Sequence, residues 1–120
     1  MERNMDLIRL ILLEMEKRLH QDRGKPIELD GFSPEEVSYH VKLLDQAGFI
    51  EATIKETRET LYAVPLSLTW TGHEFLDAAR EPSRWNKAKA IITDKAGSVS
   101  FETLKALLVS LALHAVGLKQ

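Results

Sequence analysis

A chain of 120 residues, 44% hydrophobic and 28% charged, has the size and composition of a single globular domain with room for a core and little to spare. The absence of cysteine excludes disulfides and thiolate metal sites, and a formal charge of −2 gives no overall basic surplus. MERNMDLIR lacks the basic-then-apolar order of a signal peptide, and the longest apolar run, 106–118, is broken by Ser110 and His114 and falls short of the roughly 20 residues of a bilayer span, so a cytoplasmic protein is expected.

Asn4 to His20 reads as an amphipathic helix capped by Asn4, with Ile8, Ile11, Leu12, Met15 and Leu19 on one face and Arg9, Glu16 and Lys17 on the other. QDRGKP breaks it. Arg18, Arg23 and Lys25 suit either phosphate contacts or a solvated, cation-rich helix end that is favourable with the helix dipole. Ile27 and Leu29 alternate with Glu28 and Asp30 as a scrap of strand before the Asp30-Gly31 turn. The twelve residues between His20 and Ser33 are too few for a further helix of ordinary length with its two connections.

FSPEEVSYHVKLLDQAGFI, from Phe32 to Ile50, is specified at both ends as a helix running into a strand. Ser33 caps it, Pro34 takes the first helical position, Glu36 closes a capping box, and Phe32 with Val37 forms a hydrophobic staple. Gly48 supplies the left-handed residue that ends the helix, with Phe49 folding back over the last turn. At 100° per residue Val37, Val41, Leu44 and Ala47 face the core, flanked by His40 and Leu43, while Glu35, Ser38, Tyr39, Lys42 and Gln46 face outward. Ile50, Ala52 and Ile54 alternate with Glu51, Thr53 and Lys55, and after a polar ETRE tip Leu61 and Ala63 alternate with Tyr62 and Val64, as a hairpin.

Beyond the hairpin, TWTGHEFLDAAR starts a helix with Trp70 and Phe75 as a staple around a Thr71 cap, and Phe75, Leu76 and Ala79 as packing residues. Pro82 interrupts it, and a helix from about Ser83 to Ala96 turns Trp85, Ala88, Ile91 and Ile92 inward before Gly97. Ser100 to Leu118 is a last helix with Val99 and Leu104 as its staple. It is apolar most of the way round, which predicts burial on more than one face and pairing with a second copy across a two-fold axis.

Charge is unevenly spread: +1 over 1–25, −4 over 26–50, −2 over 51–80 and +3 over 81–120. The central helix therefore lies in the most acidic quarter, which counts against duplex binding by phosphate neutralisation alone.

SYHVKLLDQAGFI resembles the stretch of ArsR/MarR-type winged-helix regulators in which the recognition helix ends in Ala-Gly and a strand, and Leu68-Thr69-Trp70-Thr71-Gly72 resembles the element after the wing in MarR-type and PadR-type regulators. Together with MDLIRLIL and RWNKAK, these motifs resemble, over about Met1 to Lys89, a family of small bacterial and phage proteins of unknown function. The resemblance implies a winged-helix-like fold. The expected architecture is mainly α with a small β-hairpin, a winged helix-turn-helix-like domain over 1–81 with a C-terminal helical extension over 82–120 in the same compact unit. It brings no established activity.

Chemistry is sparse. His73-Glu74 resembles the start of a zinc-protease helix motif, but Asp77 stands where the second histidine belongs. His40 flanks the core as a satisfied histidine or reads a base or phosphate, and His114 lies in the apolar tail. There is no Gly-rich phosphate loop and no nucleophile elbow, so neither an enzyme nor a cofactor nor a metal is expected. The leading expectation is a homodimeric regulator of transcription or phage-related function. It would bind double-stranded DNA through Ser38, Tyr39 and Lys42 in the major groove and Arg58 on the wing, and pair through Leu104, Leu108, Leu111 and Ala115. The alternative is the same fold serving as a protein-interaction module that meets a basic protein partner.

Overall fold

The first helix, α1 (Met5–Lys17), forms where the apolar spacing predicts it and is capped by Asn4, whose Oδ1 accepts from the Leu7 amide at 3.1 Å. The structure is a computed structural model describing residues 1–95 and 101–115. Leu7, Ile8, Ile11, Leu12 and Met15 are buried on α1, whereas Leu19 is 63% exposed, because the helix ends at Lys17 and the chain turns away. A single turn of 3-10 helix over His20–Asp22 follows. Ile27 is buried, but no strand forms around it, so the expected scrap of strand is extended chain without a ladder partner.

The second helix, α2 (Pro34–Gln46), carries the predicted capping box: Ser33 Oγ accepts from the Glu36 amide at 3.1 Å and Glu36 Oε1 from the Ser33 amide at 3.2 Å. At its far end Gly48 adopts φ +82°. The Gly48 amide donates to Asp45 O and the Phe49 amide to Leu44 O, which buries Phe49. Ala47 is exposed, against expectation, because it is the cap and no longer on the helical face.

An antiparallel hairpin pairs β1 (Ile50–Glu56) with β2 (Leu61–Leu68) in the register Ile50↔Leu68 to Glu56↔Leu61. The second strand runs past the expected Val64, through Pro65, because an irregularity at Glu51/Ala52 adds one residue to β2 and leaves Pro65 where its missing N–H is tolerated. Helix α2 packs against α1 and against both strands.

Helix α3 (Trp70–Ala79) begins two residues earlier than expected. Its cap is Thr69, not Thr71: Thr69 Oγ1 accepts from the Gly72 amide at 3.0 Å and donates to Gly48 O at 2.6 Å, while the Thr69 amide donates to Phe49 O. Trp70 is accordingly 80% exposed and staples nothing. Helices α4 (Pro82–Lys95) and α5 (Phe101–Ala115) pack together. Glu81 caps α4, its carboxylate accepting from the Ser83 and Arg84 amides and from Ser83 Oγ, and these bonds hold its carboxyl below the ordinary range.

The chain divides into two compact units, Met1–Glu74 and Phe75–Gln120. In the second, Phe75, Leu76, Ala79, Trp85, Ala88, Leu104 and Leu108 are buried. The expected stop at Gly97, the Ser100 cap with its Val99 staple residue and the stretch beyond Ala115 lie outside the described residues, as does the side chain of Ile92. Among the described residues no helix is long and apolar enough to cross a membrane.

Candidate interaction surface

Helix α2 is held from both sides, and this decides which of its side chains are available. His40, 1% exposed, accepts from the Asn4 amide at Nε2 (2.8 Å) and donates from Nδ1 to Glu36 O (2.8 Å). It thereby fastens the cap of α1 to α2, and its role is structural, with the proton on Nδ1 because Nε2 accepts from the Asn4 amide and Nδ1 faces the Glu36 carbonyl. Asp45 Oδ1 accepts from the Ala52 amide at 3.1 Å and fixes the start of β1.

Ser38 is a correction to the outward face. It is 8% exposed, and its Oγ accepts from the Ala63 amide of β2 at 3.3 Å. The hairpin covers its flank of the helix, so the buried arc is wider than the stripe facing α1, and Ser38 is not placed to read a base. Lys42 is half-buried, its Nζ 2.7 Å from Glu56 Oε1 at the end of β1. The single Lys or Arg of α2 is thus neutralised within the chain.

The hairpin tip is tied by two threonines. The Thr57 amide donates to Thr60 O at 2.8 Å, the two hydroxyls lie 2.8 Å apart, and Thr57 Oγ1 accepts from the Thr60 amide at 3.0 Å. This clasp, signalled by Thr-x-x-Thr and missed in the sequence, holds Arg58 and Glu59 at the exposed apex. Between the tip and the first turns of α2 lies a cleft of about 480 Å³ whose lining includes Glu35, Tyr39, Glu56, Arg58, Glu59 and Tyr62. The Tyr39 ring meets His40 edge-on, centroids 5.4 Å apart. Tyr39 and Arg58 thus line one cleft, among three carboxylates. Among the described residues the side chains of Glu35, Arg58 and Glu59 have no hydrogen bond or ion pair.

Of the expected pairing residues, Leu104 and Leu108 are buried in the chain itself, Leu111 is half-buried, and the side chain of Ala115 lies outside the described residues. Asp77 pairs with Arg80 at 2.6 Å, and no metal-holding group of three His, Cys, Asp or Glu exists among the described residues.

Residues 2–98 match the model of a family described as "Hypothetical protein (DUF2513)". The chain belongs to the DUF2513 family. An uncharacterized protein of Haemophilus influenzae is 42% identical to this DUF2513 chain over 107 residues, covering 88% of the chain and 90% of that protein. No solved structure matches. The family description carries no activity, in keeping with the expectation of a small family of unknown function.

Proposed function

We propose that this DUF2513 chain uses a winged-helix-like fold as a protein-interaction module, with the cleft between α2 and the hairpin tip receiving a cationic, Lys- or Arg-rich segment of a partner. In this reading α2 stands in the place of a recognition helix, the hairpin in the place of the wing, and the His20–Asp22 turn where a supporting helix would be. The observation that carries it is the Lys42–Glu56 ion pair, which removes the helix's cation from the surface and leaves Glu35 and Glu59 facing the cleft beside two tyrosines. Carboxylates with aromatic neighbours suit guanidinium and ammonium groups by ion pairing and stacking. With Leu104 and Leu108 in the chain's own core, pairing of two copies through α5 would draw on Leu107, Val109 and Leu111.

Titration of the full chain with an Arg/Lys-rich decapeptide containing one tyrosine tests the proposal. Binding that weakens roughly tenfold in Glu59→Lys is expected, a loss of about 1.4 kcal/mol. Equal affinity for an acidic peptide of the same length would remove the reading. Duplex DNA is the second reading, and the observation in its favour is Arg58, exposed at a clasped tip where a wing residue would enter a minor groove.

A further inference from the structure

A second cleft, of about 310 Å³, lies at the opposite end of the hairpin, between the C-terminus of α1, the turn after it, residues 65–68 of β2 and the first turn of α3. Its frame is fixed. The Arg18 guanidinium donates to three carbonyls, those of Asp22 (3.3 Å), Lys25 (2.6 Å) and Pro26 (2.6 Å), and the Gly24 amide donates to Pro65 O at 3.2 Å. The arch over 22–26 is thus tied to α1 on one side and to β2 on the other. Met15, Pro65, Leu66 and Leu68 supply apolar lining.

His20, Arg23 and His73 also line this cleft, the first two from the single turn after α1 and the third from α3. All three are exposed, and among the described residues none of their side chains has a hydrogen bond or ion pair. The neighbouring carboxylate that would neutralise Arg23 is engaged elsewhere: Asp22 accepts from Lys25 Nζ at 3.1 Å and from the Leu19 amide at 3.3 Å. Glu16 lines the cleft but has a partner of its own. Two imidazoles without a third ligand do not make a metal site, whereas two imidazoles with a guanidinium are a donor set for an anion.

We infer that this cleft binds a small organic phosphate monoester, its phosphate on His20, Arg23 and His73 and its short apolar body on Leu66 and Leu68. Three donor side chains suit a tetrahedral group with several oxygens, and Arg23 suits a bidentate phosphate contact. The volume is at the lower end of small-molecule sites, which limits the body to about one ring. The inference is independent of the acidic cleft at the tip.

Isothermal titration of the full chain with phenyl phosphate, inorganic phosphate and phenol tests it. Phenyl phosphate is expected to bind at least roughly tenfold more tightly than either fragment, and Arg23→Gln and His73→Gln each to weaken it by roughly tenfold. Glu59→Lys at the tip should leave it unchanged. No binding of phenyl phosphate at millimolar concentration overturns the inference, as does affinity equal to that of inorganic phosphate, or binding that both cleft variants retain. Both substituted residues are exposed, and thermal melting of each variant separates lost binding from lost folding.

Discussion

At the tip of the hairpin the cation of α2 is taken up by Glu56 and two carboxylates, Glu35 and Glu59, are left over against one cation, Arg58, whereas at its base the Asp22 carboxylate is taken up by Lys25 and the Leu19 amide and nitrogen donors are left over. Summed along the sequence, 1–25 is nearly balanced and 26–50 strongly acidic, yet neither sum describes the surface a ligand meets. The sign of a small surface is set by which charges are paired inside the chain.

Separating the two ends by mutation should give effects of graded size. Gly72→Ala is expected to be the most damaging, because an added Cβ would stand 1.9 Å from the Phe49 carbonyl oxygen and force the start of α3 off the end of α2. A loss of about 3 kcal/mol in urea unfolding is expected, and His73 would be displaced from the base cleft while the tip stays intact. Ser38→Ala should cost about 1–2 kcal/mol, since the buried Ala63 amide loses its acceptor. Its effect should be on stability alone, with the tip cleft still binding the basic peptide. Lys42→Met sharpens the contrast most cleanly: stability should change by within about 1 kcal/mol, while the freed Glu56 tightens the basic peptide roughly threefold.

The smallest effect is one of pH at the base. The Asp22 carboxyl is held below its ordinary value of 3.8, first by Lys25 Nζ and next by the Leu19 amide. A folded value under the unfolded one means that its contribution is present above 3.8 and is lost as pH falls through the lower, folded value. Acid-unfolding curves of Asp22→Asn and the parent should therefore coincide in shape at neutral pH and separate in slope only at the acid end.

Local signals in the sequence were enough for the capping box at Ser33, the Gly48 stop, the hairpin and the inward Trp85, because each depends on residues within about one turn of one another. What the sequence concealed was set by contacts across the fold. Ser38 reads as outward on a helical wheel that knows one packing partner, and α2 has two sides covered. The partner of Lys42 is fourteen residues on, past the turn at Gly48 and along β1, where no periodicity points. Thr69 and Thr71 both precede a helical run, and the choice fell to Thr69 because its hydroxyl and amide also reach the carbonyls of Gly48 and Phe49. The candidate site was legible in part: Tyr39 and Arg58 do share a cleft, but Lys42 and Ser38 serve the fold.

In the proposed reading the surface joining α2 to the hairpin tip receives a cationic protein segment in preference to a nucleic acid. Fluorescence anisotropy of a labelled random duplex, titrated with the full chain at low and at physiological salt, tests it most directly. The account predicts no binding that depends on salt, because α2 has no free cation to release counterions. Binding that collapses as salt rises, and that Arg58→Glu abolishes, would contradict it and return the surface to duplex DNA.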